Sequence, residues 1–251
     1  MYEAKAATER GDVFECRIRE QWAEQLGRPL DILVAGCGHR IVPPDRIDVK
    51  ITAVDEDLPG LREALEGRPG LDAWSLGDLR SVPIFPRSFD VVHIEFLLER
   101  IHYTELVLDR FLTGLRPGGL MLIRMRDRRS AYGFCDRLAA RVVPAPVRRA
   151  LWRRFVGEHG FPPAPQAGPP PAVYEPVTTL DGLRSYCLTR GLRITDEVRA
   201  TSGPALRGPW GHAAGAACRT VERLSGGRLP AGHDELAVVI RKPHNHFARL
   251  L

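Results

Sequence analysis

A glycine turn and a series of carboxylates carry the chemical content of this chain. Asp31-Ile-Leu-Val-Ala-Gly-Cys-Gly-His-Arg40 is an apolar run that ends in Gly36-Cys37-Gly38, and Ile51-Thr-Ala-Val-Asp55 follows it. The two read as parallel strands, the first closed by a glycine turn and the second tipped by an acid. Glycines let backbone approach a ligand, and a carboxylate at the tip of the second strand accepts both hydroxyls of a ribose. This is the chemistry of holding an adenosine-containing cofactor. Further along, Asp78-Leu79 and Phe89-Asp-Val-Val-His-Ile-Glu95 place polar groups beside two later strands.

His93 and Glu95 are separated only by Ile94, so as strand residues they share a side. Two readings stand for them. His93 can act as a general base with a near-neutral pKa next to Glu95, or it can be a hydrogen-bonded sheet residue while Glu95 orients backbone or cofactor. His102-Tyr103 is a second candidate pair, with an exposed helix terminus as its alternative.

As a cofactor-binding glycine turn, the pattern has two faults. Position 40 is Arg where a third glycine is expected, and Pro43-Pro44 interrupts the helix that should follow. A dinucleotide needs a helix amino terminus facing its pyrophosphate, so these departures favour an adenosyl cofactor without phosphate.

The elements that must position these groups follow from hydrophobic period. Residues 2 to 27 read as a helix with Phe14, Ile18, Trp22 and Leu26 on one stripe, packing on the sheet or forming part of a lid. Strands are expected over 31–35, 50–54, 71–76, 88–94 and 120–125, with helices over 58–66 and 96–115, the latter stopping at Arg116-Pro-Gly-Gly119. The continuous apolar run Leu120-Met-Leu-Ile-Arg-Met125 suits a strand covered on both faces. Strands alternating with helices over the first 125 residues predict an α/β fold with a doubly wound parallel sheet. Beyond it, short Arg-rich helices are expected over 130–142 and 147–156, an irregular proline-dense stretch over 161–176, a helix over 179–190, strands over 192–198 and 235–241, and one helix near 213–224.

Taken together, Gly36-Cys37-Gly38, Asp55, Asp78-Leu79 and the strand ending at Glu95 resemble the class I S-adenosylmethionine-dependent methyltransferases over about residues 30 to 125 plus the two terminal strands. The match is closer to a branch whose first motif runs Gly-Cys-Gly-x-Arg, as Gly36 to Arg40 does, with Asp78-Leu79-Arg80, then Phe85-Pro86, then Ser88-Phe-Asp-Val-Val. The resemblance implies a Rossmann-like seven-stranded sheet, mostly parallel with an antiparallel last strand, and S-adenosyl-L-methionine as cofactor, with S-adenosyl-L-homocysteine as product. It implies that the backbone of Gly36 to Gly38 faces the methionine part, Asp55 binds the ribose, and Asp78 with the Leu79 amide reads the adenine edge. Cys37, Glu56 and Glu95 complete the implied cofactor-binding set. Members of that branch look like tailoring methyltransferases, which implies a sugar or natural-product-like acceptor methylated by direct displacement. Val34 stands where most of these enzymes place an acidic residue for the methionine ammonium. That departure keeps a second class open: a non-catalytic or repurposed adenosyl-binding protein on the same fold.

Composition bounds the partners. The 251 residues, 44% hydrophobic, suffice for one sizeable core. No apolar run approaches the roughly 20 residues that span a bilayer, and Met1 to Arg10 is too polar for a signal peptide, so the expected compartment is cytoplasmic. Five scattered cysteines, at 16, 37, 135, 187 and 218, fit reduced thiols rather than a disulfide framework or zinc site. His244-Asn245-His246 lacks an acidic or cysteine neighbour and reads as a tail, so no metal is expected.

Between Arg124 and Arg154, ten Arg stand against two Asp in a chain of net charge +5. Three readings share this segment: peripheral contact with an anionic membrane, capture of phosphate or carboxylate groups on the acceptor, or a solvated charged face. Tyr132, Phe134, Trp152 and Phe155 fall mostly at apolar-face spacing, which argues against nucleic acid. The expected organisation is a leading helix (1–29), a methyltransferase domain (30–126 and 177–251) and an Arg/Pro-rich insertion or cap (127–176).

Overall fold

The computed structural model describes residues 13–26, 28–36, 46–58, 60–144, 146–147, 172–200 and 209–244. Cys37, Gly38, Arg40, Pro43-Pro44, the helix expected over 147–156 beyond Val147, the proline-dense stretch up to 171 and Asn245-His246 lie outside them.

The elements in chain order are α1 (Val13–Glu24), β1 (Leu30–Ala35), β2 (Val49–Asp55), α2 (Leu61–Leu65), β3 (Ala73–Leu76), β4 (Phe89–Glu95), α3 (Thr104–Gly114), β5 (Leu115–Arg126), α4 (Ala131–Val142), α5 (Leu180–Thr189), β6 (Arg193–Ala200), α6 (Pro209–Leu224) and β7 (Glu235–Arg241). The strands form one seven-stranded sheet in the order β3-β2-β1-β4-β5-β7-β6. β1 to β5 pair in parallel, and β7 is antiparallel to both β5 and β6. This is a doubly wound, Rossmann-like sheet, mostly parallel with an antiparallel last strand, and its order reverses between β1 and β4, where such sheets open a crevice at their carboxyl ends.

Alternation along each strand divides the core into two layers. Val92 and Ile94 of β4 pack with Leu108 and Phe111 of α3 and Leu183 and Tyr186 of α5. Val91, Ile32 and Val34 pack on the other face with Phe14 of α1. Phe14 is 2% exposed, and burying a side chain of its size contributes about 1.5–3 kcal/mol, enough to seat α1 on the sheet. The stripe expected along α1 holds for Phe14, Ile18 and Trp22 but not for Leu26, which is 95% exposed. The helix stops at Glu24 and Leu26 turns left-handed (φ 54°), so its side chain leaves the stripe.

Two other boundaries differ from expectation. β5 starts at Leu115 and absorbs Arg116-Pro-Gly-Gly119, with a register shift opposite Phe89–Val91. Gly118 makes this bulge feasible, since its φ is +81° and a Cβ there would lie 2.3 Å from the His244 ring. α3 starts at Thr104 rather than near 96, because Phe96 and Tyr103 adopt positive φ (47° and 58°) and residues 97–103 form turns. A distant residue sets that start: the Glu175 carboxylate accepts the N–H groups of Tyr103 (2.7 Å) and Thr104 (2.9 Å).

At the amino end of the sheet, Asp90 is buried and its carboxylate accepts from Arg28, Arg116 (2.7 Å) and the Asp31 amide (3.1 Å). This acid therefore braces β1, β4 and β5 far from the carboxyl ends. No helix of the described residues is long and apolar enough to cross a membrane.

Candidate functional site

The end of β1 is built around Gly36. Its φ is +85°, and a Cβ there would lie 2.5 Å from the Glu95 carbonyl oxygen, so conformation and space both demand glycine. The Gly36 amide donates to the Val54 carbonyl (3.3 Å), and the turn is thereby held between the ends of β2 and β4.

Asp55 ends β2 and is buried at 6% exposure. Its Oδ1 accepts the Glu56 amide (2.9 Å), and its carbonyl accepts the Gly77 amide (3.0 Å). Asp55 thus fixes the backbone from which Glu56 and the β3 turn project. Burial pushes the Glu56 carboxyl up from its ordinary value, and the neighbouring charges of Asp55 and Asp78 push the same way. Asp78 goes the other way, down to about 2, because the Arg80 guanidinium and then the Arg80 amide donate to it. Arg80 Nε lies 2.9 and 3.0 Å from the two carboxylate oxygens and Nη2 lies 2.6 Å from Oδ2. The same guanidinium sits 5.2 Å from the centre of the Tyr103 ring.

These groups line a cavity of about 590 Å³, together with Asp57, Gly77, Leu79, Ile101, His102 and Val107. The size falls within the roughly 300–1,000 Å³ usual for small-molecule sites. One wall presents carboxylates, and Leu79, Ile101 and Val107 give an apolar side continuous with the α3 layer of the core. Such a lining suits a polyhydroxylated, aromatic-bearing ligand such as a nucleoside.

The expected residues divide into two groups. Glu56, Asp78 and Leu79 meet in the cavity, as does the pair His102-Tyr103, whereas Asp55 stands behind its wall. His93 and Glu95 lie on the α1 face. The His93 ring packs edge-on against Phe14 with centroids 5.5 Å apart. Glu95 Oε1 lies 3.7 Å from Arg124 Nε, which is also 3.6 Å from Glu235 and stacks 5.1 Å from the Phe14 ring. The two do share a side, but neither lines the cavity. Val34 is 1% exposed and pairs in register with His93, within the same apolar layer.

One buried group outside the cavity lining has no local signature in the sequence. Glu99 is 5% exposed, and its Oε2 has no hydrogen-bond partner among the described residues. Burial pushes its carboxyl up to about 7, although Arg100 and Arg126 pull it down. The Glu99 carbonyl accepts the amides of Val173 (2.9 Å) and Tyr174 (3.1 Å). The Tyr174 hydroxyl donates to Asp136 Oδ2 (2.9 Å) on α4, and burial raises that carboxyl too. Arg126, paired with Asp234, stacks over Phe96 (5.2 Å) and Tyr132 (4.7 Å). Only folding brings Tyr174, and Asp136 through it, to Glu99.

Neither a protein-family model nor a curated protein sequence matches the chain. Among solved structures, it is similar to an S-adenosylmethionine-dependent methyltransferase from Mesorhizobium loti, at 14% identity over 92% of this chain and 98% of that one, with a TM-score of 0.49. It is similar to the 1,6-didemethyltoxoflavin-N1-methyltransferase of Burkholderia thailandensis, at 18% identity over 92% and 81% of the two chains (TM-score 0.46). It is also similar to the [4+2]-cyclase SpnF, at 18% identity over 90% and 80% (TM-score 0.47). The fold assignment rests on the strand order itself.

Proposed function

We propose that this chain is an S-adenosylmethionine-dependent methyltransferase acting on a small, sugar- or natural-product-like acceptor. The observation that carries the reading is the convergence of Glu56 and Asp78 on one cavity at the carboxyl ends of β2 and β3, with Asp55 holding the Glu56 amide and a turn that only glycine can make ending the neighbouring β1.

The lining fits the adenosyl half of that cofactor. Glu56 faces the cavity, and no described residue donates to its carboxylate, so it is the acid available to a ribose diol; Asp55 holds its backbone. Leu79 and Ile101 offer an apolar surface to the base, and Asp78, kept ionised by Arg80, stands at the edge of that surface. S-adenosylmethionine, when bound, supplies an already activated methyl group. The chain's own task is then to position the acceptor in line and to exclude water. Arg80 stacked on Tyr103 forms one rim of that enclosure.

Calorimetry with S-adenosylmethionine and S-adenosylhomocysteine tests this reading. Binding is expected, and Glu56→Ala should weaken it roughly tenfold or more, as loss of a charge-assisted hydrogen bond does. No binding of either ligand at millimolar concentration sinks the proposal. A second reading, an adenosyl-binding protein without methyl transfer, is favoured by the burial of Val34 where an acid would meet the methionine ammonium. Tight binding without methyl loss from S-adenosylmethionine over a broad panel of sugars and phenols would select it.

A further inference from the structure

A second cavity, about 280 Å³ in volume, lies where α4 and α5 begin, lined by Arg128, Arg129, Arg137, Pro176, Thr179 and Leu229. Its position follows from two helix starts brought together. Ser130 caps α4 by accepting the Gly133 amide (3.0 Å), and Thr179 caps α5 by accepting the Gly182 amide (3.0 Å). The Arg128 amide donates to the Thr178 carbonyl (3.1 Å), tying one start to the other. The α5 cap Thr179 and the two residues that lead into the α4 cap therefore line a space that also holds three arginine side chains.

Opposing charge is scarce there. Arg129 pairs with Asp181, which also lies 3.7 Å from Arg184. Neither Arg128 nor Arg137 makes an ion pair with a described residue; Arg137 instead lies 5.8 Å from the Tyr174 ring centre. The nearest acid on α4, Asp136, is engaged by the Tyr174 hydroxyl. Burial and the like charges of Arg128 and Arg141 act against the protonated form of Arg137. Like charges gathered in a half-enclosed space are costly, and a bound anion removes that cost.

We propose that this cavity is a binding site for a phosphate-type dianion. Among the described residues only Arg129 of the three is ion-paired, so two guanidinium groups remain for the two charges of a phosphate monoester, and the planar Arg fork matches its oxygens. One chain segment links the site to the larger cavity. The 173–179 segment is fixed at one end by Glu175 to Tyr103 and Thr104, and at the other it supplies Pro176 and Thr179 to the arginine cavity. An anion bound there lies against the chain segment that also anchors Tyr103, which lines the proposed adenosyl site.

The test is titration calorimetry of the full chain with phenyl phosphate and with inorganic phosphate, beside co-sedimentation with phosphatidylcholine vesicles with and without phosphatidic acid, whose headgroup is a phosphate monoester. Binding of a soluble phosphate that falls roughly ten- to hundredfold in Arg137→Ala and Arg128→Ala, but not in the exposed control Arg223→Ala, is the expected result. Anionic-vesicle binding lost in the same two variants, without soluble binding, supports the site with a lipid headgroup as the source. Arg137→Lys keeps the charge and loses the fork, so it should lie between wild type and Arg137→Ala, and it serves if the alanine variant does not fold. Absence of both kinds of binding, or equal weakening in Arg223→Ala, overturns the proposal. S-adenosylhomocysteine affinity, measured alongside, should be unchanged in all variants; its absence in wild type would count against the methyltransferase reading and leave the anion result standing.

Discussion

Glu99→Gln should make this protein more stable at pH 8 and nearly neutral at pH 5. The Glu99 carboxyl titrates at about 7 in the folded chain against an ordinary 4.5, because burial opposes its ionisation. Between those values the folded state retains a proton that the unfolded chain has released. Stability therefore falls as pH rises through that window and levels off above it. The gap corresponds to about 3 kcal/mol at roughly 1.4 kcal/mol per pH unit, and most of it accrues between about pH 5 and pH 8. Gln has nearly the same shape and no charge to bury, so it removes the dependence. Urea unfolding of both proteins at pH 5, 6, 7 and 8 reads the effect, with m-values compared to confirm that the denatured states match. The variant should gain about 2–3 kcal/mol relative to wild type across that range, on the order of 5–10 °C in Tm for a chain of this size. A difference between the two proteins that stays flat with pH would refute the reasoning, because it would mean that Arg100 and Arg126 already balance a charged Glu99.

Two further outcomes test the geometry of the cavity. Gly36→Ala places a side chain in a left-handed conformation and against the Glu95 carbonyl, so it should cost at least about 1–3 kcal/mol in urea unfolding and weaken S-adenosylhomocysteine binding as well; unchanged values for both would mean that the β1 end relaxes freely. Arg80→Ala should let the Asp78 carboxyl rise from about 2 toward its ordinary 3.8, seen as a shifted carboxyl resonance titration by NMR; a value still near 2 would assign the depression to some other donor.

Where local pattern and burial coincide, the chain was readable one residue at a time. The continuous apolar run of β5 and the alternation of β4 become strands covered on both faces, and the caps Ser130 and Thr179 sit where the helices of the second half begin. The glycine at 36 was legible as a site residue because its requirement is a backbone one. Periodicity misled where chain ends of elements were decided elsewhere. Phe96 to Leu115 has helical spacing, yet its first turn is unwound and α3 is capped by Glu175, a residue 71 positions from Thr104. Leu26 fits the α1 stripe, but the helix has already ended.

The site shows the same division. Residue types and their order along the chain determined the alternating fold, the glycine closing β1, and the row of acids at 55, 56 and 78, since each depends on contacts within one strand-turn unit. Which acid faces the cavity, that His93 lies under Phe14, and that three arginines gather with two helix starts around one space were decided only by tertiary structure. Facing and electrostatic environment are set by what packs across the sheet and by how much water is excluded. Both depend on residues that are distant in sequence, so the chemistry of Glu56, Glu99 and Arg137 belongs to the folded molecule and not to any segment of it.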